Sequence, residues 1–151
     1  MIQRIQSIYL LLFVLSCAAL YALPLCTATE GSNMQIFSIT NIQVFQDNAL
    51  TQTTPVPLYS IYNAALIVLG LVCIFMFRNR KLQLRLCSLL ILAGVIFIFL
   101  VFRQSDGLIA NVKPIYHAGM YLLVVSLLWI FLAMRSIRHD ENLVRSADRL
   151  R

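Results

Sequence analysis

Four long apolar runs divide the chain, and they limit what it can fold into more than any other feature. The runs cover residues 5–25, 57–77, 86–102 and 114–134, and none contains an aspartate, glutamate, lysine or arginine. A helix rises about 1.5 Å per residue, so about 20 residues cross a hydrocarbon core about 30 Å thick. The sequence therefore predicts an all-α membrane protein, a bundle of four transmembrane helices that forms a single domain over residues 1–151.

Composition agrees with this class. Charged residues make up 12% of the chain, against about 25% in typical soluble domains. The third apolar run is short, and we expect Leu82 and Leu84 to extend it while Arg85 reaches into the headgroup layer. The expected organisation is spans at about 5–25, 57–77, 84–102 and 114–134, an outer loop at 26–56, a cytoplasmic loop at 78–85 and a cytoplasmic tail at 135–151.

Positive charge lies almost entirely on one side of these spans. Ten of the twelve basic residues fall before the first span, between spans two and three, or in the tail, and only Arg103 and Lys113 fall in the opposite loops. The positive-inside rule then places both termini and the loop between spans two and three in the cytoplasm. The net charge of +6 is explained by this topology and by the anionic inner leaflet, so we exclude nucleic acid as a partner.

The first apolar run has a second interpretation, as a cleaved secretory signal. Arg4 precedes it, as in such signals, and residues 14–17 form a loose lipoprotein-like box ending at Cys17. The run is longer than a typical signal core, so we favour a first span. Cleavage or lipidation would leave three spans, with the two ends of the chain on opposite sides of the membrane.

The outer loop contains the pattern of a β-hairpin. Residues 34–46 are rich in β-branched and aromatic side chains, Asp47 and Asn48 form a turn signal, and residues 50–54 can return as a second strand. Two strands alone are marginally stable in water, so they must lie on the helix ends or on a partner. We predict a small extracytoplasmic hairpin-like cap, and favour an ordered loop over a dedicated binding surface.

The tail has the pattern of an amphipathic helix. Ile137, Val144, Ala147 and Leu150 recur on one helical face, with Leu143 beside them. Such a helix either continues from span four, bends along the inner membrane surface, or docks on a cytoplasmic protein. The candidate partner or lipid contacts are Arg78, Arg80, Lys81, Arg85, Leu143, Val144, Arg145, Asp148 and Arg149.

The sequence offers few groups that could catalyse a reaction or bind a metal or cofactor. The six acidic residues lie outside the predicted spans, the four cysteines have no metal-binding spacing, and no nucleophile or phosphate-loop motif occurs. We expect no catalytic, cofactor or metal site and a protein that is not an enzyme. The one weak polar site we predict is at the outer face and consists of Asn63, Arg103, Asp106 and His117, because ionisable groups in spans are functional candidates.

Three segments resemble a known family: residues 1–6, residues 79–87, and residues 135–151, above all 140–151. Together they resemble a family of small four-span inner-membrane proteins of unknown function from Bacteroidota, over the whole length. The resemblance implies an uncleaved chain, but it supplies no activity, substrate or site. His139 stands where the family often carries lysine, which keeps the position basic or titratable.

Two functions remain open at this stage. The first is a non-enzymatic accessory or scaffold subunit of a membrane complex, which binds lipids of the anionic inner leaflet and a protein partner through the inner loop and tail. The alternative is a small transporter or channel that uses the polar outer cluster around His117. Neither the partner nor the oligomeric state follows from the sequence.

Overall fold

The computed structural model describes residues 3–47, 49–76, 79–109 and 112–149, with side chains described between residues 5 and 140 of those ranges. The helices and strands, in chain order, are α1 (Gln3–Ala19), β1 (Pro24–Glu30), β2 (Asn33–Ser38), β3 (Asn41–Gln46), β4 (Ala49–Pro55), α2 (Pro57–Phe75), α3 (Arg80–Asp106), β5 (Ile115–Tyr116) and α4 (Ala118–Arg149).

The four helices pack side by side, α1 and α3 each against both α2 and α4. The connection between α2 and α3 is short, so the two helices are antiparallel neighbours. The Tyr62 ring of α2 stacks on the Phe97 ring of α3, with ring centroids 5.1 Å apart. Leu10, Phe13 and Ile130 are among the fully buried side chains of the shared core. The outward faces of all four helices are also apolar, as expected for helices that contact lipid.

Three helices are long and apolar enough to cross a membrane: α2, α3 and the part of α4 from Ala118 to Asp140. The first predicted span is shorter than expected, because α1 ends at Ala19 and the apolar residues after it lead into β1. At 17 residues, α1 covers about 25 Å. It nevertheless contacts its neighbours near both ends, through Gln6 to Asp140 and from Asn63 to Cys17.

The prediction of an all-α fold with a hairpin-like loop is wrong, because the chain forms a five-stranded antiparallel sheet. The strand order is β4-β3-β2-β1-β5. The turn at Asp47 does join two paired strands, β3 and β4, but residues 34–46 form two strands instead of one. The sheet gains β1, which lies mostly in the predicted outer loop, and β5, from the start of predicted span four. This extension overcomes the instability of an isolated hairpin.

Local backbone chemistry sets the meander. Gly31 has a φ of 60°, which glycine adopts without steric cost, and it forms the tight turn that pairs Glu30 with Asn33. Two residues of β5 pair with Cys26 and Thr27 of β1. This pairing delays the start of α4 to Ala118, four residues after the start of the predicted span.

The sheet lies against one end of the helices, and β1 is its most deeply buried strand. Leu25 and Cys26 are fully buried, whereas all seven residues of β4 are exposed. The first turn of α4 lies directly on β1, since a Cβ atom at Gly119 would lie 2.6 Å from the carbonyl oxygen of Pro24. We call this end of the molecule the sheet end.

Candidate functional site

The opposite end of the helices carries most of the described basic side chains. We call it the basic end, and it comprises the start of α1, the end of α2, the start of α3 and the part of α4 from Leu132 onward. A cavity of about 640 Å³ lies there between α1 and α4. Its lining residues are Ile5 and Tyr9 from α1, and Leu132, Arg135, Ser136, Arg138 and His139 from α4.

Helical periodicity places the α4 side chains together. Arg135, Arg138 and His139 follow one another at intervals of three and one, and so share one side of the helix. Leu132 lies one turn before Arg135 on the same side, towards the apolar part of α4. The cavity is therefore apolar at one edge and basic at the other.

An aromatic pair borders the apolar edge. Tyr9 of α1 stacks with Trp129 of α4, with ring centroids 6.4 Å apart and planes inclined by 17°. Tyrosine and tryptophan favour the depth where hydrocarbon meets headgroups. The pair marks the level at which the apolar part of these two helices ends.

Among the side chains that the structure describes, no acidic one lines the cavity. The nearest acid along α4, Asp140, is buried, and its carboxylate accepts a hydrogen bond from the Gln6 amide of α1. The backbone carbonyl of Asp140 accepts a bond of 3.3 Å from Arg80 of α3. Asp140 thus links α1, α3 and α4.

A second buried polar group lies between α2 and α3. The Gln83 amide donates to the carbonyl of Cys73 at 3.1 Å, and the sulfur atoms of Cys73 and Cys87 are 3.5 Å apart. All four cysteines are free and buried. Within the described ranges, no three histidine, cysteine or acidic side chains group closely enough to hold a metal ion.

The residues predicted to contact lipid or a partner fall into two groups, those whose side chains the structure describes and those that lie outside its described side chains. Arg80 is half-buried and bonds to Asp140, while Lys81 and Arg85 are exposed on the first turns of α3. Asn79 caps this helix by accepting a hydrogen bond from the amide of Leu82 at 3.3 Å. Arg78 lies outside the described residues, as do the side chains of Leu143, Val144, Arg145, Asp148 and Arg149, although the backbone of α4 is helical through them.

The four residues of the predicted polar outer site have different surroundings. Asn63 is fully buried and donates to the carbonyl of Cys17 at 2.8 Å, whereas His117 Nε2 is 2.6 Å from the Thr27 hydroxyl of β1. Arg103 and Asp106 are exposed at the end of α3. Asn63 and His117 therefore bond to different elements.

Asp106 instead affects the interior of the sheet end. Burial raises the pKa of Tyr116 above its ordinary value, and the Asp106 carboxylate adds to the increase. Burial likewise raises the pKa of the Cys26 thiol, although a hydrogen bond with Ser105 opposes the rise. Both groups are held in their neutral forms, which suits a packed junction between sheet and helices.

Sequence reasoning missed the cavity between α1 and α4. The basic spacing of Arg135, Arg138 and His139 was visible, but the sequence does not say which helix faces them. The wall formed by Ile5 and Tyr9 depends on the packing of the first helix against the last. The spacing of the basic residues along α4 was the available signal, and it identified only the wall of the cavity that α4 forms.

The chain belongs to the family described as a domain of unknown function, DUF4293, whose model matches residues 2–150. No curated protein matches the sequence. The predicted resemblance to a family of unknown function is confirmed by this match. The bacterial source and the four-span topology that the resemblance implied remain predictions.

Proposed function

We propose that this member of the DUF4293 family is a non-enzymatic accessory subunit of a protein complex in the bacterial inner membrane. In this proposal all four helices cross the membrane, the basic end faces the cytoplasm, and the sheet end faces outward. The excess of lysine and arginine at the basic end supports the orientation.

The observation that carries the proposal is the length of α4. The apolar run ends at Met134, yet the helix continues without interruption to Arg149. At 1.5 Å per residue, the charged part of α4 extends about 22 Å beyond the apolar part. A straight continuation of a membrane helix holds a docking face at a fixed position, which favours a protein partner over a helix lying on the membrane surface.

The docking face follows from the sequence of this extension. Leu143, Val144 and Ala147 fall on one side by helical spacing, in a segment otherwise rich in charge. An apolar strip on a helix outside the membrane is stabilised when another protein covers it. The partner chemistry we propose is a complementary apolar groove on a cytoplasmic protein or domain.

The test is affinity purification of the tagged full chain from native membranes, with mass spectrometry of what it retains. Replacing Leu143 and Val144 together by glutamate places two charges on the docking face. We expect a stoichiometric partner with the wild-type chain and its loss with the double variant, because buried carboxylates without partners are strongly unfavourable in an interface.

The matched control replaces Asn142 alone by glutamate and is compared with the single variant Val144→Glu. Each adds one charge to the same helix, but Asn142 lies about 160° around the helix from Val144. The control should retain the partner better than Val144→Glu does. Equal retention by the control and the double variant would rule out docking through this face, and equal loss by both would indicate a general effect of charge on the tail.

A further inference from the structure

We propose that the cavity between α1 and α4 binds the phosphate group of an anionic phospholipid. This goes beyond the docking function, since it assigns a separate ligand to a separate set of residues. It rests on the membrane placement proposed above but does not depend on the docking face of the tail.

The shape of the cavity fits one lipid headgroup with the start of its acyl chains. Its volume of about 640 Å³ lies within the range of small-molecule sites, about 300–1,000 Å³. Leu132 and Ile5 provide an apolar surface, and Ile5 is 47% exposed. A soluble anion would leave that apolar surface in contact with water, whereas the glycerol and upper acyl region of a lipid would cover it.

The basic edge has the donors that a phosphate requires. Arg135 and Arg138 both carry a guanidinium group, whose planar pair of N–H donors matches two phosphate oxygens. His139 contributes a ring N–H as a further donor. The hydroxyl of Ser136 adds a neutral donor on the same side of α4.

The positive charge of the cavity is not neutralised within the described part of the chain. Arg135, Arg138 and His139 are exposed, and none forms a salt bridge with an acid whose side chain is described. The carboxylate of Asp140 is buried and accepts a hydrogen bond from Gln6. An anion entering the cavity therefore meets three basic groups, and no acid among the side chains described up to residue 140 pairs with them.

The position of the cavity along the helices matches the depth of lipid phosphates. Arg135 directly follows the last residue of the apolar run, Met134. The stacked pair of Tyr9 and Trp129 lies just inside this level. Basic pockets between membrane helices at this depth are typical binding sites for anionic headgroups.

The stacked pair also supplies a direct readout. Trp129 is the sole tryptophan of the chain, and it contacts Tyr9 at the wall of the cavity. We would titrate the purified full chain in neutral detergent with phosphatidylglycerol or phosphatidylcholine and follow tryptophan fluorescence. Native mass spectrometry would count the lipids retained. Saturable binding of about one phosphatidylglycerol, with much weaker binding of phosphatidylcholine, is the expected result.

The decisive variant replaces Arg135 and Arg138 together by glutamine. We expect it to bind phosphatidylglycerol about tenfold more weakly or worse, because two charge-assisted contacts to phosphate are lost. The matched control replaces Arg103 and Lys113 by glutamine, which removes the same charge from exposed positions at the sheet end. The control should bind within about twofold of the wild type, since surface charges away from the site are screened.

Three results would overturn the proposal: equal weakening by both double variants, equal binding of the two lipids, and displacement of the lipid by millimolar glycerol 3-phosphate. The last would indicate a site for soluble phosphate esters. If the glutamine variant does not fold, Arg138→Lys replaces it, because lysine keeps the charge but loses the planar pair of donors. Unchanged lipid affinity in Arg138→Lys would then contradict the proposed guanidinium contact. Failure of partner docking would leave all of these measurements unaffected.

Discussion

At the residue scale, buried polar side chains work as links between helices. Asn63 of α2 donates to the carbonyl of Cys17, which lies in the last turn of α1. The next amide that a continued helix would offer to this carbonyl, that of Tyr21, bonds instead to Ala18. Asn63 thus caps the end of α1 from a neighbouring helix, which satisfies one of the carbonyls that a helix end leaves unpaired.

Replacing Asn63 by leucine should therefore destabilise the protein. We expect the free energy of unfolding to fall by about 1 kcal/mol, because the carbonyl of Cys17 loses its buried partner. The measurement is unfolding of the purified protein by denaturant in mild detergent. Ala64→Leu, which adds the same side chain at the next, outward-facing position, should change little. Higher stability of the Asn63 variant would show that the capping bond contributes nothing.

The limits of residue-level prediction are clear at the cavity. The sequence shows the spacing of Arg135 and Arg138, and it also shows that Tyr9 lies near the start of an apolar run. Their meeting could not be predicted, because it depends on the rotation of α1 and α4 about their own axes. Side-chain packing over more than 100 positions of sequence separation sets those rotations.

At the element scale, the junction between β1 and α4 holds the sheet to the helices. Gly119 lies in the first turn of α4, where the backbone of β1 passes so closely that a Cβ would lie 2.6 Å from the Pro24 carbonyl oxygen. The amide of His117 donates to the carbonyl of Leu25 at 2.9 Å in the same place. The tightest contact of the added Cβ is thus with backbone, which cannot move aside as the end of a flexible side chain can.

Gly119→Ala should consequently reduce stability by about 1–3 kcal/mol, the usual cost of excess volume in a packed region. Gly107→Ala is the control, because the nearest atom to its added Cβ is 3.5 Å away and its φ of −91° is open to alanine. Unfolding of both variants in detergent gives the comparison. Equal stability of Gly119→Ala and the wild type would mean that β1 and α4 are not in close contact.

The sequence predicts the helices and the turn at Asp47 because both depend on local patterns of residues. The apolar runs of α2 and α3 and the turn residues need no knowledge of distant partners. Strands β1 and β5 were missed because they pair across 90 residues of sequence, Cys26 with Tyr116. The first two residues of β1 and both residues of β5 belong to the apolar runs of spans one and four, and those runs alone did not separate strand from helix.

At the scale of the whole molecule, the structure separates two chemically different ends. One end is a five-stranded sheet whose edge strand β4 is fully exposed and carries no charged side chain. The other carries the basic residues at the start of α3 and those of α4 that line the cavity. Both proposals, a protein partner on the extended α4 and a lipid phosphate in the cavity, require the basic end to face the cytoplasm.

Cysteine labelling tests this arrangement most directly, because all four native cysteines are free but buried. Single variants Thr53→Cys on β4 and Lys81→Cys on α3 place exposed thiols at the two ends. In intact spheroplasts, a membrane-impermeant maleimide should label Thr53→Cys, and it should label Lys81→Cys only after the membrane is permeabilised. Labelling of both variants in intact spheroplasts, or the reverse order, would contradict the account.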